Sequence, residues 1–88
     1  VRAQARVRGA NLTSALAAAG AGLRDVRKTT VYVASACLTD LVAAWEEIRT
    51  AFGEHDVPST LPGVAVLGYA DQLVELEAVA LHPNSAVW

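Results

Sequence analysis

The chain has 88 residues, a formal charge of −2 and one cysteine, Cys37. That length is one domain. The single thiol excludes an internal disulfide and a cysteine-built zinc site, and the charge balance excludes a strongly basic nucleic-acid face. At 53% hydrophobic and 18% charged residues the chain is too apolar for a disordered segment. A domain this short covers only part of its own apolar surface, so a partner or further copies of the chain are expected to cover the excess. No apolar run reaches 18 residues, so no transmembrane helix is expected. The start, "VRAQARVRGA", has no signal-peptide pattern. With one lone cysteine, the expected location is cytoplasmic. The sequence has no methionine and opens on Val1, which leads to the expectation that it is a piece of a longer protein. Up to Arg49 there are seven bases and four acids; beyond it there are five acids and no base.

Residues 1–19 read as a helix, with Ala5, Leu12, Leu16 and Ala19 on one stripe. Arg2, Arg6 and Arg8 read as a solvated helix end. Gly20 and Gly22 supply the stop. "GLRDVRK" is a connection or single turn. "TTVYVA" (Thr29–Ala34) is a strand by its β-branched density and alternation, apolar on both faces. Thr39 is the expected N-cap of a second helix, with Asp40 in its first turn. That helix runs from about Asp40 to Phe52 with Leu41, Trp45, Ile48 and Phe52 on its apolar stripe, and Gly53 ends it. After the loop "GEHDVPST", a strand is expected over Thr60–Leu67, with Pro62 implying an edge, a strand start or a bulge because it cannot donate to a ladder. A last strand spans Leu73–Leu81 and stops at His82-Pro83. The order helix, strand, helix, strand, strand is an α+β two-layer pattern, with helices on one face of a mixed sheet.

Three blocks, "AGLRDVRKTTVYVA", "FGEHDVPSTLPGVAVL" and "LVELEAVALHP", resemble the RidA family, also called YjgF-like or endoribonuclease L-PSP-like. The resemblance covers about residues 3–83, and "KTTVYV" with "VELEAVA" at their mutual spacing is its specific part. It implies a RidA-like domain over residues 1–83, lacking the family's N-terminal portion, and a tail over 84–88. It implies a chorismate-mutase-like fold and a homotrimer with small-molecule clefts between subunits. The implied activity is hydrolysis of reactive enamines and imines, such as 2-iminopropanoate and 2-iminobutanoate, to 2-oxo acids and ammonia. No metal or organic cofactor, no nucleic acid and no membrane take part.

Such hydrolysis uses an arginine to clamp the substrate carboxylate and a polar group to activate water. The family's glutamate falls on Glu75, the implied catalytic residue. The family's arginine falls on Ser59, or on Thr60 without a gap; both are hydroxyl residues and the implied ligand-binding positions. The family's asparagine on the second helix falls on Trp45. An enzyme with an altered site and a non-catalytic ligand-binding trimer on the same fold both fit this pattern. A fragment without a function of its own is the third reading.

Read from the residues alone, Glu75 is a site carboxylate or an acid on a solvated strand face, and Glu77 shares its face by period two. Ser59 and Thr60 are ligand donors or turn residues bonded to nearby backbone. Trp45 is a stacking platform or a core anchor. Cys37 has no histidine near it in sequence and reads as an inert thiol. His55 and His82 form no metal motif. Tyr69 reaches into a cleft or flanks a turn. Asn11 in "NLTS" matches a glycosylation pattern but lies mid-helix.

Overall fold

The computed structural model describes residues 1–81. The His82-Pro83 stop and the tail over 84–88 lie outside the described residues. Helix α1 spans Arg2–Ala18, a single 3-10 turn covers Leu23–Asp25, strand β1 runs Val26–Val33, and helix α2 runs Leu38–Phe52. Strand β2 is Ser59–Thr60 and β3 is Val74–Ala80. The sheet order is β2-β1-β3, with β1 parallel to β2 and antiparallel to β3. This is the α+β layering that the pattern of elements predicts.

The core lies between the two helices and one face of the sheet. Ala5, Val31, Val33, Ala44, Ile48 and Val74 are fully buried, and Leu41, Trp45, Phe52, Leu61 and Leu76 pack around them. The α2 stripe at 41, 45, 48 and 52 therefore does face the sheet. On α1 the buried positions are Ala5 and Gly9, whereas Ala19 is exposed. Gly9 is where the helices cross: a Cβ there would stand 3.3 Å from the Cβ of Ala51. A residue that looks like a helix weakener is thus what lets α1 approach α2. Across the crossing, Arg2 pairs with Glu46 at 2.7 Å and Arg6 with Glu47 at 2.6 Å.

Strand β1 starts three residues before Thr29. Its register with β3 shifts between Val26 and Lys28, a bulge at Arg27. The burial pattern shows the consequence: Val26 and Thr29 both face the core although they are three apart. Strict alternation cannot do this, so the sequence pattern hides the start of the strand. Helix α2 starts at Leu38, earlier than a Thr39 cap allows. Cys37 is its N-cap, and Ser35 organises the entry, accepting from the Cys37 N–H at 2.9 Å and donating to Asp40 Oδ2 at 2.8 Å. Gly20 closes α1 and Gly53 closes α2, both at positive φ. Gly22 is extended, and its N–H donates to Asp25 Oδ2 at 2.8 Å.

The strand expected over Thr60–Leu67 is mostly not a strand. Only Ser59–Thr60 forms regular ladder, with an isolated bridge from Val33 to Gly63. The prolines explain it. Pro58 and Pro62 accept from the Thr29 and Val33 N–H groups, but neither has an N–H to return. The segment follows the edge of β1 as an irregular rail. Gly63 lies so close to β1 that a Cβ there would be 2.5 Å from the Ser35 carbonyl oxygen.

The entry to β3 is tied to α1. Gln4 Oε1 accepts from the Leu73 and Val74 N–H groups at 2.7 and 3.3 Å, and Gln4 Nε2 donates to the Asp71 carbonyl at 2.8 Å. Arg8 Nε donates to the Val74 carbonyl at 3.2 Å. Asp71 has a positive φ of 63°, a conformation that costs a non-glycine residue energy and that the Gln4 amide holds in place.

Candidate functional site

Two faces of the small sheet carry different chemistry. Thr29, Val31 and Val33 point at the helices and are buried; Thr30 and Tyr32 alternate with them onto the open face. Register then places Glu75 directly opposite Tyr32 and Glu77 opposite Thr30. Both glutamates are exposed. Neither has a hydrogen bond or ion pair among the described residues; the ion pairs of the glutamates lie on α2. Thr60 pairs with Thr30 and so shares this face. With β1 between them, Thr60 and Glu77 stand two strand spacings apart, about 10 Å, and Glu75 lies two residues further along β3.

Ser59 goes the other way. It pairs with Thr29, and its hydroxyl donates to the Val57 carbonyl at 2.9 Å, so that its Oγ accepts from the Thr29 Oγ1–H at 2.6 Å. The three residues that the sequence marks as a site therefore divide. Glu75 and Thr60 share the open face, and Ser59 turns toward the helix layer with its hydroxyl engaged by its own neighbourhood.

Ser59 borders a cleft of about 470 Å³ between the C-terminal end of α2 and β2, lined also by Trp45, Arg49, Phe52, His55 and Asp56. Trp45 packs on the core and also lines this cleft. Arg49 and Phe52, four and seven residues on, line the same cleft, so one side of α2 presents an indole, a guanidinium and a phenyl in sequence. His55 is half-buried, with Nε2 3.0 Å from the Val26 carbonyl and its ring 6.3 Å from that of Phe52. When Nε2–H donates to that carbonyl, Nδ1 is left as an acceptor. Arg49 and the cleft are not legible as a site in the sequence, because the residues that meet there are split by the Gly53 turn. The signal was the 45, 49, 52 spacing.

Cys37 is exposed at the N-terminus of α2. The backbone N–H groups of Asp40 and Thr39, and then the Thr39 hydroxyl, hold its thiol below the usual cysteine range. Tyr69 is largely exposed and flanks a turn, where its N–H donates to Gln72 Oε1 at 3.4 Å. Among the described residues no group of three or more His, Cys, Asp and Glu is placed to hold a metal ion, and no helix is long and apolar enough to cross a membrane.

No protein-family model matches the sequence, and no curated protein matches it. Solved structures do. A member of the YjgF/YER057c/UK114 family from Mycobacterium tuberculosis is 32% identical with a TM-score of 0.79, covering 86% of this chain and 63% of that one. A Rid-family protein from Yersinia pestis is 30% identical with a TM-score of 0.80, covering 91% and 61%. A candidate L-PSP endoribonuclease from Entamoeba histolytica is 29% identical with a TM-score of 0.78, covering 86% and 58%. The chain thus spans about 60% of the length of the solved structures it matches. Shared fold, shared order of elements and about 30% identity over most of its length lead to one conclusion: the structural neighbours of this chain are YjgF/Rid family members, and it is similar to them in sequence and fold.

Proposed function

We propose that this chain builds one wall of a small-molecule cleft in a Rid-type homotrimer, and that it binds its ligand there without efficient hydrolysis of 2-imino acids. The observation that carries this reading is the pair Ser59 and Thr60 at the position where the family resemblance expects an arginine. The Ser59 hydroxyl is already engaged by Thr29 and Val57, and Thr60 is uncharged. A charge-assisted bond to a carboxylate contributes about 1.5–3 kcal/mol, which these hydroxyls do not replace. The unpaired carboxylates of Glu75 and Glu77 favour a neutral or cationic ligand on this face. An apolar chain, two open sheet edges and an uncovered sheet face bearing Tyr32 and the exposed Val79 support assembly with further copies. Calorimetry of the full-length protein against matched small acids and amines tests the preference. Amines should bind more tightly, and Glu75→Gln should reduce that margin; tighter binding of the acids contradicts the reading.

A second reading is favoured by the free, exposed carboxylate of Glu75. With that carboxylate as the base that activates water, the family's hydrolysis of enamines and imines to 2-oxo acids and ammonia proceeds, with weaker substrate binding. A coupled assay of 2-aminoacrylate loss separates the two. A rate above buffer that disappears in Glu75→Gln supports hydrolysis, and no rate above buffer rejects it.

A further inference from the structure

We infer that the cleft between the end of α2 and β2 is a second binding site, built for an α-amino acid zwitterion with an aromatic or bulky apolar side chain. Its components are a cation, two anions and an apolar floor. Trp45, Phe52 and Val57 supply the floor, and Arg49, Glu54 and Asp56 supply the charges.

Arg49 is free for a ligand for a structural reason. A helical arginine ordinarily pairs with an acid one turn back, and Glu46 stands there. Glu46 is instead held by Arg2 of α1 at 2.7 Å, and its neighbour Glu47 by Arg6 at 2.6 Å. The interhelix pairs thereby leave Arg49 with no carboxylate within 4 Å among the described residues. Glu54 and Asp56 also lack a cationic partner among the described residues. They sit beyond the Gly53 turn, along the same cleft.

Opposite charges that border one cleft without neutralising each other are complementary to a ligand that carries both. A simple carboxylate would meet Glu54 and Asp56, and a simple amine would meet Arg49. A zwitterion satisfies the guanidinium with its carboxylate, in the forked geometry that arginine favours, and the acids with its ammonium. The aromatic floor then selects an apolar side chain of matching size. This site does not use Glu75 and stands whether or not the open face binds or hydrolyses anything.

The test is an amide-shift titration of the isotope-labelled full-length protein with three probes of one skeleton. These are L-phenylalanine, 3-phenylpropanoate, which lacks the ammonium, and phenethylamine, which lacks the carboxylate. Phenylalanine should saturate shifts centred on Trp45, Arg49 and Val57. Each half-charged analogue should bind about tenfold more weakly or worse, since each forfeits a charge-assisted contact. Arg49→Gln, at an exposed position, should bring phenylalanine down to the level of phenethylamine, and Asp56→Asn should bring it toward that of phenylpropanoate. Glu75→Gln should leave the phenylalanine-induced shifts at Trp45, Arg49 and Val57 in place, whatever it does to amine binding on the open face. No saturable shift by about 10 mM phenylalanine, equal binding of the three probes, or shifts centred on Glu75 would each overturn the proposal.

Discussion

Tyr32 and Glu75 are direct neighbours across the β1–β3 ladder, side by side on the sheet face that the helices leave open. The phenol supplies area and a hydroxyl; the carboxylate supplies charge. Glu75 makes no hydrogen bond among the described residues, so the fold does not lean on it. Glu75→Gln should leave stability within about 0.5 kcal/mol of the parent while changing ligand binding by the open face. Denaturant midpoints and calorimetry on the same preparation check both halves. A large loss of stability would mean that the carboxylate is structural.

Gln4 is where α1 fixes the entry to that strand. It makes three hydrogen bonds to the backbone of residues 71–74, in a partly solvated setting. Gln4→Ala should cost about 1–2 kcal/mol and accelerate amide exchange at Leu73 and Val74 before the rest of β3. Gln4→Glu keeps the acceptor but loses the donor to the Asp71 carbonyl, and should fall between. If the Leu73 and Val74 amides exchange no faster in Gln4→Ala, the side chain is an onlooker.

Gly63 tests the close approach of the proline rail to β1. A Cβ at this position would lie 2.5 Å from the Ser35 carbonyl oxygen, a backbone atom with little room to move. The same carbonyl precedes the α2 entry organised by the Ser35 side chain. Gly63→Ala should therefore destabilise by about 1–3 kcal/mol, although the residue is exposed and its φ is unexceptional. Gly68→Ala, with nothing within 4 Å of the added Cβ, is the matched control. Thermal midpoints of the two variants should differ by several degrees.

How far the sequence reveals this molecule depends on what each signal measures. The β-branched alternation of "TTVYV" and the "VELEAVA" block place the two main strands because half-burial imposes period two. The Arg27 bulge breaks that period and hides Val26–Lys28. The segment 61–67 looks like a strand by composition, yet prolines that only accept hydrogen bonds cannot build one. On α2 the stripe is legible since Ile48 and its neighbours face one side; on α1 alanines blur the pattern, and Gly9 reads as a weak point where it is a contact. Glu75 and Thr60 come to one face through register that no single segment contains. Ser59 differs from Thr60 by one residue, and so points to the opposite face. The cleft beside it joins Trp45 and Arg49 to residues beyond a turn, and its free guanidinium depends on Arg2 taking Glu46 from another helix. Pairing across elements of this kind leaves no local trace.

Cys37 gives the pH dependence. The Asp40 and Thr39 N–H groups at the start of α2 hold its pKa below that of an ordinary thiol, as positive helix ends do. Because the folded value is depressed, the sign is fixed. The contribution to stability is fully present above the unfolded thiol's pKa and is lost as pH falls through the folded one. The denaturant midpoint, relative to Cys37→Ser, should therefore rise from neutral pH toward the ordinary thiol range near 8.5 and then level. Alkylation by iodoacetamide should follow the same titration, with its half-maximal rate at a lower pH for the folded chain than for the chain in urea. Cys37→Ser, which places a favoured N-cap side chain there, should remove the pH-dependent difference without unfolding α2. Coincident alkylation profiles for the folded and urea-unfolded chain would show that the helix end does not act on the thiol.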